Sequence, residues 1–335
     1  MTTRSARVLV AVAIVVAAAS AVALLATRGA EPEPITALVY EEGATLGQPM
    51  RGQVWRARPD GSNPVILTVG QDPVISPDGR WIAFRRGYHE LWLIPAEGGD
   101  ERRLRLAAEL IDRIIWSPDS ARLAVLGRGG LAVVERERGR SRLLVRARPR
   151  MSVDWPSFSP DGRQLVYGLA DAEGGDVYVV PVAGGKTKRL TRDHRSFAPL
   201  WGPRLIAFNR GGFIRGGDVW LVRPDGSGVR RLTRTNAGIY PAAWSADGRR
   251  LLAANPATHN GRLWAVEVGS GRARDLTGWV GDLFAQGLSR DGRLVLAAIG
   301  CGGVVSPVGI LETLPFAGGR PTVIARGPCR GSWNA

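Results

Sequence analysis

The sequence predicts an all-β fold: a seven-bladed β-propeller of four-stranded blades, closed by the C-terminal strand and preceded by one N-terminal transmembrane helix. Three observations predict this architecture. A Ser-Pro-Asp-Gly motif recurs with a period of 41–45 residues. Each motif begins a unit of short apolar runs separated by Gly, Pro, Asp and Asn, which is typical of propeller blades. An uncharged apolar run lies near the N-terminus.

The composition excludes several other classes of protein. The 335 residues carry a formal net charge of +15, and 44% of them are hydrophobic, which is too many for a disordered chain. The 44 Gly and 22 Pro residues would interrupt the helices of a bundle or a coiled coil. Two cysteines are too few for a disulfide-rich scaffold or a zinc site of four cysteines.

Residues 1–34 are predicted to be a membrane-targeting segment followed by a short linker. Arg4 and Arg7 precede residues 8–26, a run of 19 residues without charge. A helix of that length spans about 28 Å, close to the hydrocarbon thickness of a bilayer. The basic residues before the run favour an N-terminus inside the cell, which would place residues 35–335 outside the cytoplasmic membrane.

Cleavage of this segment stays an open alternative. A signal peptidase site requires small residues at positions −3 and −1, and cutting after Ala30 places Arg28 at position −3. We therefore expect an uncleaved, single-pass signal anchor. A cleaved signal peptide, which would give a secreted protein, is the alternative.

The repeat divides residues 35–335 into seven units. Between the third and the fourth motif lie two periods of 43 residues, and a degenerate copy without the Asp-Gly turn is found there, at residues 199–203. Two copies read Ser-Pro-Asp-Gly, at residues 76–79 and 159–162. The other three are the variants Ser-Pro-Asp-Ser at 117–120, Ser-Ala-Asp-Gly at 245–248 and Ser-Arg-Asp-Gly at 289–292.

Each unit supplies four short strands. An apolar run follows the motif, as in residues 164–167, and a segment with an aromatic among β-branched neighbours comes next, as in residues 177–180. A short final strand closes the unit. Such final strands are expected at residues 188–191, 231–233 and 275–277.

The two chain ends are predicted to share one blade. Residues 36–40, 53–58 and 65–68 supply the second, third and fourth strands of a blade that lacks its first strand. Residues 330–334 supply that first strand, because they lie one period after the fifth motif and resemble residues 241–245. Closure of this kind leaves no open sheet edge inside the ring. Six blades are the alternative if the N-terminal copy does not form.

The motif, the apolar strand, the aromatic strand and the Arg-Leu-Thr segment together resemble the TolB-like repeat, a relative of the WD repeat in bacterial envelope propellers. The resemblance covers residues 36–335 and implies a scaffold that binds a protein or peptide. The repeat also occurs in the propellers of prolyl-oligopeptidase-type peptidases. This sequence has no residues left for their α/β-hydrolase domain and no Gly-x-Ser-x-Gly motif. The extra N-terminal α/β domain of TolB is not expected either.

The most visible motifs are interpreted as structural. Pro, Asp and Gly are the residues that tight turns require, so the Ser-Pro-Asp-Gly motif is interpreted as a turn. The aromatics of the third strands are interpreted as packing between blades; they are Trp55, Trp92, Tyr178, Trp220 and Trp264.

The candidate binding residues share one face of the predicted ring. In a propeller, the loops between strands two and three lie on the same face as the connections from strand four to the next blade. First strands line the central channel. We therefore predict a ligand-binding face at the channel mouth; loop residues that share a face by chance are the alternative. The predicted residues are Asp72, His89, Asp112, Asp154, Asp193, His194, His259 and Asp282.

Cys301 and Cys329 are candidates for a disulfide. Both fall on the channel-mouth side, next to the strand that closes the ring, and a disulfide is allowed outside the cytoplasm. Two free thiols whose Cα atoms are too far apart to bridge are the alternative. No catalytic residue or cofactor is predicted, because no Ser, His and Asp constellation can be assembled from the sequence. No metal ligand is predicted, because no spacing such as His-x-Glu or Cys-x-x-Cys occurs.

The positive charge points to anionic partners. Of the 45 basic residues, 43 are Arg, which indicates compositional bias as much as function, and the densest cluster lies at residues 136–150. Outside the membrane, anionic lipid or wall polymer would be such a partner. Nucleic acid is not expected, because the N-terminal segment directs export.

The sequence therefore favours a non-catalytic, membrane-anchored scaffold that binds an envelope protein or peptide. Two alternatives remain. An enzyme, either a hydrolase or a lyase, would require His89, His194 and His259 to converge with nearby carboxylates at the channel mouth. A sensor would bind a small polar ligand there.

Overall fold

The computed structural model describes residues 38–42, 52–58, 60–106, 110–212, 216–255, 261–277, 283–289, 292–299, 309–327 and 330–333. The N-terminal apolar run lies outside the described residues, as do His259, Asp282, Cys301 and Cys329. The predictions for the anchor, the disulfide and these two site residues therefore stay predictions. In the described part of the chain, no helix is long and apolar enough to span a membrane.

The described residues form 28 strands in seven four-stranded antiparallel sheets, so the predicted all-β, seven-bladed propeller is confirmed. Blade 1 combines both chain ends in the order β28-β1-β2-β3. Its strands are β1 (Leu38–Glu42), β2 (Gln53–Ala57), β3 (Val65–Val69) and β28 (Arg330–Trp333).

Blades 2 to 7 each take four consecutive strands from the inside of the ring outwards. Blades 2 to 4 contain β4 (Gln71–Ile75), β5 (Trp81–Arg86), β6 (Glu90–Pro95), β7 (Arg102–Leu104), β8 (Arg113–Trp116), β9 (Arg122–Gly127), β10 (Gly130–Glu135), β11 (Ser141–Arg146), β12 (Ser152–Phe158), β13 (Gln164–Asp171), β14 (Gly174–Pro181) and β15 (Lys188–Arg189). Blades 5 to 7 contain β16 (Ser196–Trp201), β17 (Ile206–Arg210), β18 (Asp218–Val222), β19 (Arg230–Arg231), β20 (Tyr240–Trp244), β21 (Arg250–Asn255), β22 (Arg262–Glu267), β23 (Ala273–Asp275), β24 (Leu283–Leu288), β25 (Leu294–Ile299), β26 (Gly309–Pro315) and β27 (Thr322–Gly327).

The two chain ends close the ring. β1 pairs with β28, with Leu38 opposite Trp333. The first strand of each blade contacts the first strand of the next, from β28 through β4, β8, β12, β16, β20 and β24 back to β28. The seven first strands therefore surround the central channel, and the six-bladed alternative is wrong.

Apolar side chains between neighbouring blades form the core. Ile82, Ala83 and Phe84 are all fully buried, because both faces of a blade pack against another blade. Ala83 belongs to a cluster that includes Trp116 and Leu123 of the next blade. Comparable clusters join blades 3 and 4, 4 and 5, 5 and 6, 6 and 7, and 7 and 1.

The third-strand aromatics take part in this packing, as predicted. Trp55, Tyr178, Trp220 and Trp264 each contact or belong to one of the clusters between blades. Trp92 instead lies beneath the Arg86 guanidinium, 4.5 Å from the ring centroid.

The Ser-Pro-Asp-Gly motif is a turn that its serine closes. In blade 3 the Ser117 hydroxyl donates to Asp119 Oδ1 at 2.5 Å and accepts the amide of Arg122 at 2.9 Å. The serine is buried in all five copies. The other four accept the amide five residues later at the same 2.9 Å; they are Ser76, Ser159, Ser245 and Ser289. Folding therefore accounts for the recurrence of the motif.

Three final strands are shorter than the sequence predicts. β15, β19 and β23 each end two residues before the expected position. In blade 5 the Thr233 hydroxyl accepts the amide of Val219 at 3.0 Å and so replaces the next bond of the ladder. Thr191 and Thr277 do the same in blades 4 and 6, at 3.0 and 3.1 Å.

Candidate functional site

The two classes of loop that were predicted to share a face contact each other. The amide of Ile111, just before β8, donates to the Tyr88 carbonyl in the β5–β6 hairpin at 2.7 Å. The amide of Gly175 donates to the His194 carbonyl in the β15–β16 connection at 3.2 Å. We call the surface formed by these hairpins and connections the channel-mouth face. The opposite surface, formed by the turns between strands one and two and between strands three and four, is the turn face.

Three side chains from different blades stack across the centre of the channel-mouth face. The Trp155 ring lies 4.8 Å from the Tyr240 ring, between centroids, and the guanidinium of Arg113 lies 4.4 Å from the Trp155 ring. These residues come from the first strands of blades 3, 4 and 6. Trp155 has a φ of 53° at a bulge in β12, where Pro156 follows it, and this conformation turns the strand out of its regular pairing.

This stack fills part of the channel. Trp155 and Tyr240 belong to one apolar cluster with Ala198 of the intervening blade 5. Burial raises the pKa of the Tyr240 hydroxyl above its ordinary value. Arg113 is exposed above the aromatic rings. The sequence did not predict these three residues as a site; a Trp before Pro inside a first strand is the signal that could have found them.

Asp72, which was predicted as a binding residue, is paired inside its own blade. The Arg85 guanidinium makes an ion pair with its carboxylate, and both side chains are largely buried. Arg85 also donates to the Gly87 carbonyl at 3.0 Å and lies 5.3 Å from the ring centroid of Tyr88. The amide of Asp72 donates to Glu41 of blade 1 at 3.0 Å. The carboxylate therefore pairs within blade 2, and the backbone amide links blade 2 to blade 1.

Asp193 and His194 are also engaged with neighbouring side chains. Asp193 makes an ion pair with Arg210 at 2.7 Å and accepts the hydroxyl of Ser196 at 2.8 Å. His194 Nε2 lies 3.3 Å from Arg189 Nη2, and its Nδ1 lies 3.7 Å from a carboxylate oxygen of the buried Asp176. The Arg210 guanidinium, like that of Arg86, lies over a third-strand Trp.

The remaining described candidates are spread around the rim. Asp112 is exposed, and its amide donates to the Leu126 carbonyl at 2.9 Å. Asp154 is half-buried and accepts the hydroxyl of Ser152 at 2.6 Å. His89 is exposed in the hairpin of blade 2, whereas His194 lies between blades 4 and 5. The convergence of histidines that the enzyme alternative requires is therefore not found for these two.

Among the described residues, one group of three potential metal ligands comes together. Asp171 and Glu173, on the β13–β14 hairpin, and His194 have ligand atoms within 4.8 Å of one another. Both carboxylates are exposed. Asp171 and Glu173 were not predicted from the sequence, although an Asp-x-Glu on a channel-mouth hairpin is a signal that could have found them.

A buried carboxylate begins the third strand of blade 5, and sequence reasoning did not predict it either. Asp218 is 1% exposed and accepts bonds from Thr233 Oγ1 at 2.6 Å, Arg231 Nη2 at 2.5 Å and the Thr235 amide at 2.8 Å. Burial alone would raise the pKa of this carboxyl. The bonds from Thr233, Arg231 and Thr235 outweigh burial and hold the pKa below its ordinary value of 3.8.

The same ion pair recurs between third and fourth strands, always 13 residues apart. That spacing is its sequence signal, and its recurrence marks the pair as part of the blade structure rather than of a ligand site. The pairs are Glu90–Arg103, Asp176–Arg189, Asp218–Arg231 and, with the charges exchanged, Arg262–Asp275.

Comparison with known proteins supports the fold. No family model matches the chain, and no curated protein matches it. The structure of TolB from Acinetobacter baumannii is similar over 90% of this chain and 67% of that one, with 18% identity and a TM-score of 0.57. The fold is that of a TolB-like β-propeller.

Two enzyme structures are similar as well. An oligogalacturonate lyase in complex with manganese matches 86% of this chain and 84% of its own, with 15% identity and a TM-score of 0.62. A prolyl endopeptidase matches with 11% identity and a TM-score of 0.64; this TolB-like propeller spans 50% of that enzyme. Because one fold carries several activities, the function has to be argued from the site.

Proposed function

We propose that this TolB-like propeller is a non-catalytic scaffold that binds an envelope protein or peptide at its channel-mouth face. The observation that carries the proposal is the distribution of charged groups there. Asp72 and Asp193 are neutralised by arginines of their own blades, and the described histidines lie blades apart. A wide rim of local ion pairs suits a polar macromolecular surface, whereas catalysis requires groups aimed at one reacting atom.

The centre of this face supplies a specific contact. Arg113 is exposed above the Trp155 ring, so the stack orients its guanidinium at the surface of this face. An oriented guanidinium over an aromatic surface suits a carboxylate, either an acidic side chain or the C-terminus of a peptide. We infer that an acidic segment of the partner binds here.

The proposal includes the location of the protein. The uncharged residues 8–26 would hold the chain in the cytoplasmic membrane with the propeller outside. Alkaline extraction of membranes tests this, because an anchored chain stays in the pellet. Release of a chain shortened at its N-terminus would indicate a cleaved signal peptide and a secreted protein.

Site-specific crosslinking of the full chain in its own membranes tests the binding face. A photo-crosslinking residue at position 112 or 154 should capture one dominant protein, and the same residue at position 247, on the turn face, should not. The additional replacement Arg113→Glu should abolish the capture, because it opposes an acidic segment. Equal capture from both faces, or capture that Arg113→Glu leaves unchanged, would contradict the proposal.

An enzyme or a small-ligand sensor is the second candidate, and the gathering of Asp171, Glu173 and His194 favours it. Calorimetric titration of the full chain with Mn²⁺ distinguishes the two candidates. Saturable binding that both Glu173→Gln and His194→Ala remove would favour the second candidate. Heat that is the same in all three proteins would favour the scaffold.

A further inference from the structure

Two basic grooves lie side by side, the first on the turn face and the second along β15, the outer strand of blade 4, where Arg189 is already paired with Asp176. The first, of about 590 Å³, lies between blades 3 and 4, and the second, of about 500 Å³, lies between blades 4 and 5. Basic side chains outnumber carboxylates among the lining residues of both. The charged lining residues are Arg122, Arg140, Arg142, Arg163 and Glu135 in the first groove, and Lys186, Lys188, Arg189, Arg192 and Asp225 in the second.

Bonds across the blade boundaries hold some of these cations in place. Arg142 donates to the Ala183 carbonyl of blade 4, and Lys188 Nζ donates to the Asp225 carbonyl of blade 5 at 2.8 Å. The Arg140 side chain is exposed and has no ion-pair partner in the described part of the chain. Its guanidinium therefore remains available to a ligand.

Two further carboxylates, in the motif turns beside the first groove, are occupied. Asp119 accepts the Ser117 hydroxyl and the Ala121 amide of its own turn, and lies 3.8 Å from Arg122. Asp161 accepts the Ser159 hydroxyl in the equivalent turn. These carboxylates lower the local charge without cancelling it, since the basic side chains of the two grooves still outnumber them.

Protection of the sheet edge explains only part of this arrangement. Charged residues on an outer strand discourage pairing with another chain, which accounts for Arg142 and Arg146 on β11. Arg122 and Arg163 follow the turns between strands one and two, away from the outer edge. Protection of the sheet edge therefore does not explain why they line one groove with β11.

Residues 27–37 separate β1 from the uncharged run, and eleven residues span at most about 36 Å. A chain anchored by that run would therefore be tethered to a bilayer by a short linker.

We propose that the two grooves bind the phosphate headgroups of anionic lipids in the membrane that holds the chain. The inference rests on the anchoring in the proposed function. Guanidinium groups bind phosphate oxygens through two parallel hydrogen bonds, and the grooves present several within one concave surface. Lipid is favoured over a free wall polymer because the proposed anchor would hold the chain at a bilayer.

The test uses the full chain in a neutral detergent, titrated with short-chain phosphatidylglycerol below its critical micelle concentration. Phosphatidylcholine of the same chain length is the reference lipid. We expect the phosphatidylglycerol to bind and the combined Arg140→Glu and Arg163→Glu variant to weaken its binding about 30-fold. The control variant Arg320→Glu, which changes an exposed arginine of the turn face in blade 7, should bind as the unchanged protein does.

Three results would overturn the inference: equal affinity for the two lipids, an equal loss in the Arg320→Glu variant, or inorganic phosphate binding as tightly as phosphatidylglycerol. Circular dichroism confirms that each variant is folded, because all three positions are exposed and none lies in the core. Anchoring is measured separately by alkaline extraction. Release from membranes overturns the anchoring alone, and loss of the lipid preference overturns the groove alone.

Discussion

Replacing Asp218 with alanine should destabilise the propeller strongly, and the same replacement of Asp275 should not. The two carboxylates occupy the same ion pair in neighbouring blades, with the charges exchanged between strands. Asp218 is 1% exposed and accepts bonds from Arg231, Thr233, Thr235 and the Asn236 amide. The Asp275 side chain is 30% exposed and pairs with Arg262 at 3.1 Å.

The burial of the two carboxylates sets the size of the difference. Removing one member of a buried, hydrogen-bonded pair costs about 3–5 kcal/mol, because the donors that remain lose their acceptor. The Arg231 side chain is 38% exposed and can turn to water, so we expect the lower end, about 3 kcal/mol, for Asp218→Ala. An exposed pair contributes about 0–1 kcal/mol, which is the expected cost of Asp275→Ala.

Urea unfolding followed by tryptophan fluorescence measures both costs. The two variants should differ by about 2–3 kcal/mol in the free energy of unfolding, provided that the slope with urea is unchanged. The reasoning is refuted if the two variants lose the same stability, because burial of the pair would then contribute nothing.

Other predictions follow from the same contacts. The lowered pKa of Asp218 means that its ionised form stabilises the fold above pH 3.8 and that this stabilisation is lost as the pH falls through the lowered pKa. The stability advantage of the unchanged protein over Asp218→Asn should therefore be constant near neutral pH and shrink below about pH 4, in thermal unfolding at a series of pH values; an advantage that grows in acid would contradict the sign. Ser117→Ala should cost about 1–3 kcal/mol in urea unfolding, because the Arg122 amide loses its buried acceptor, and an unchanged midpoint would argue against the role of the serine. Trp155→Ala should expose Tyr240 and lower its pKa towards 10, which ultraviolet titration detects; a titration identical to that of the unchanged protein would show that the stack does not bury it. Peptide mapping without reductant should recover Cys301 linked to Cys329, and two alkylated free thiols would contradict that prediction.

Much of the architecture could be predicted because it depends on residue types at a fixed spacing. The Ser-Pro-Asp-Gly turns require only the rotational preferences of Pro and Gly and a hydroxyl that reaches an amide five residues later. Closure of the ring follows from a first strand that is missing at one end and present at the other. The strand ends were less predictable, because the Thr233 hydroxyl replaces a ladder bond that the sequence suggests is made by the backbone.

The candidate site could be predicted only in part from the sequence. Sequence alone placed Asp72 and Asp193 on the channel-mouth face, since topology assigns loops to faces. It could not show that Arg85 and Arg210 neutralise them, because arginines are too frequent in this chain for any one of them to be recognised as a partner. Burial, and not composition, also separates Asp218 from the other carboxylates.

The sequence by itself determined the blade, the number of blades and the way the ring closes, since all three are properties of a local repeat. Only the tertiary structure decided what happens between blades. Trp155 contacts Tyr240 because the ring arranges blades 4 and 6 around one axis, and Arg122 and Arg163 line one groove because their turns are neighbours. Contacts of this kind depend on the curvature of the closed ring, and the residues of a single repeat unit do not specify that curvature.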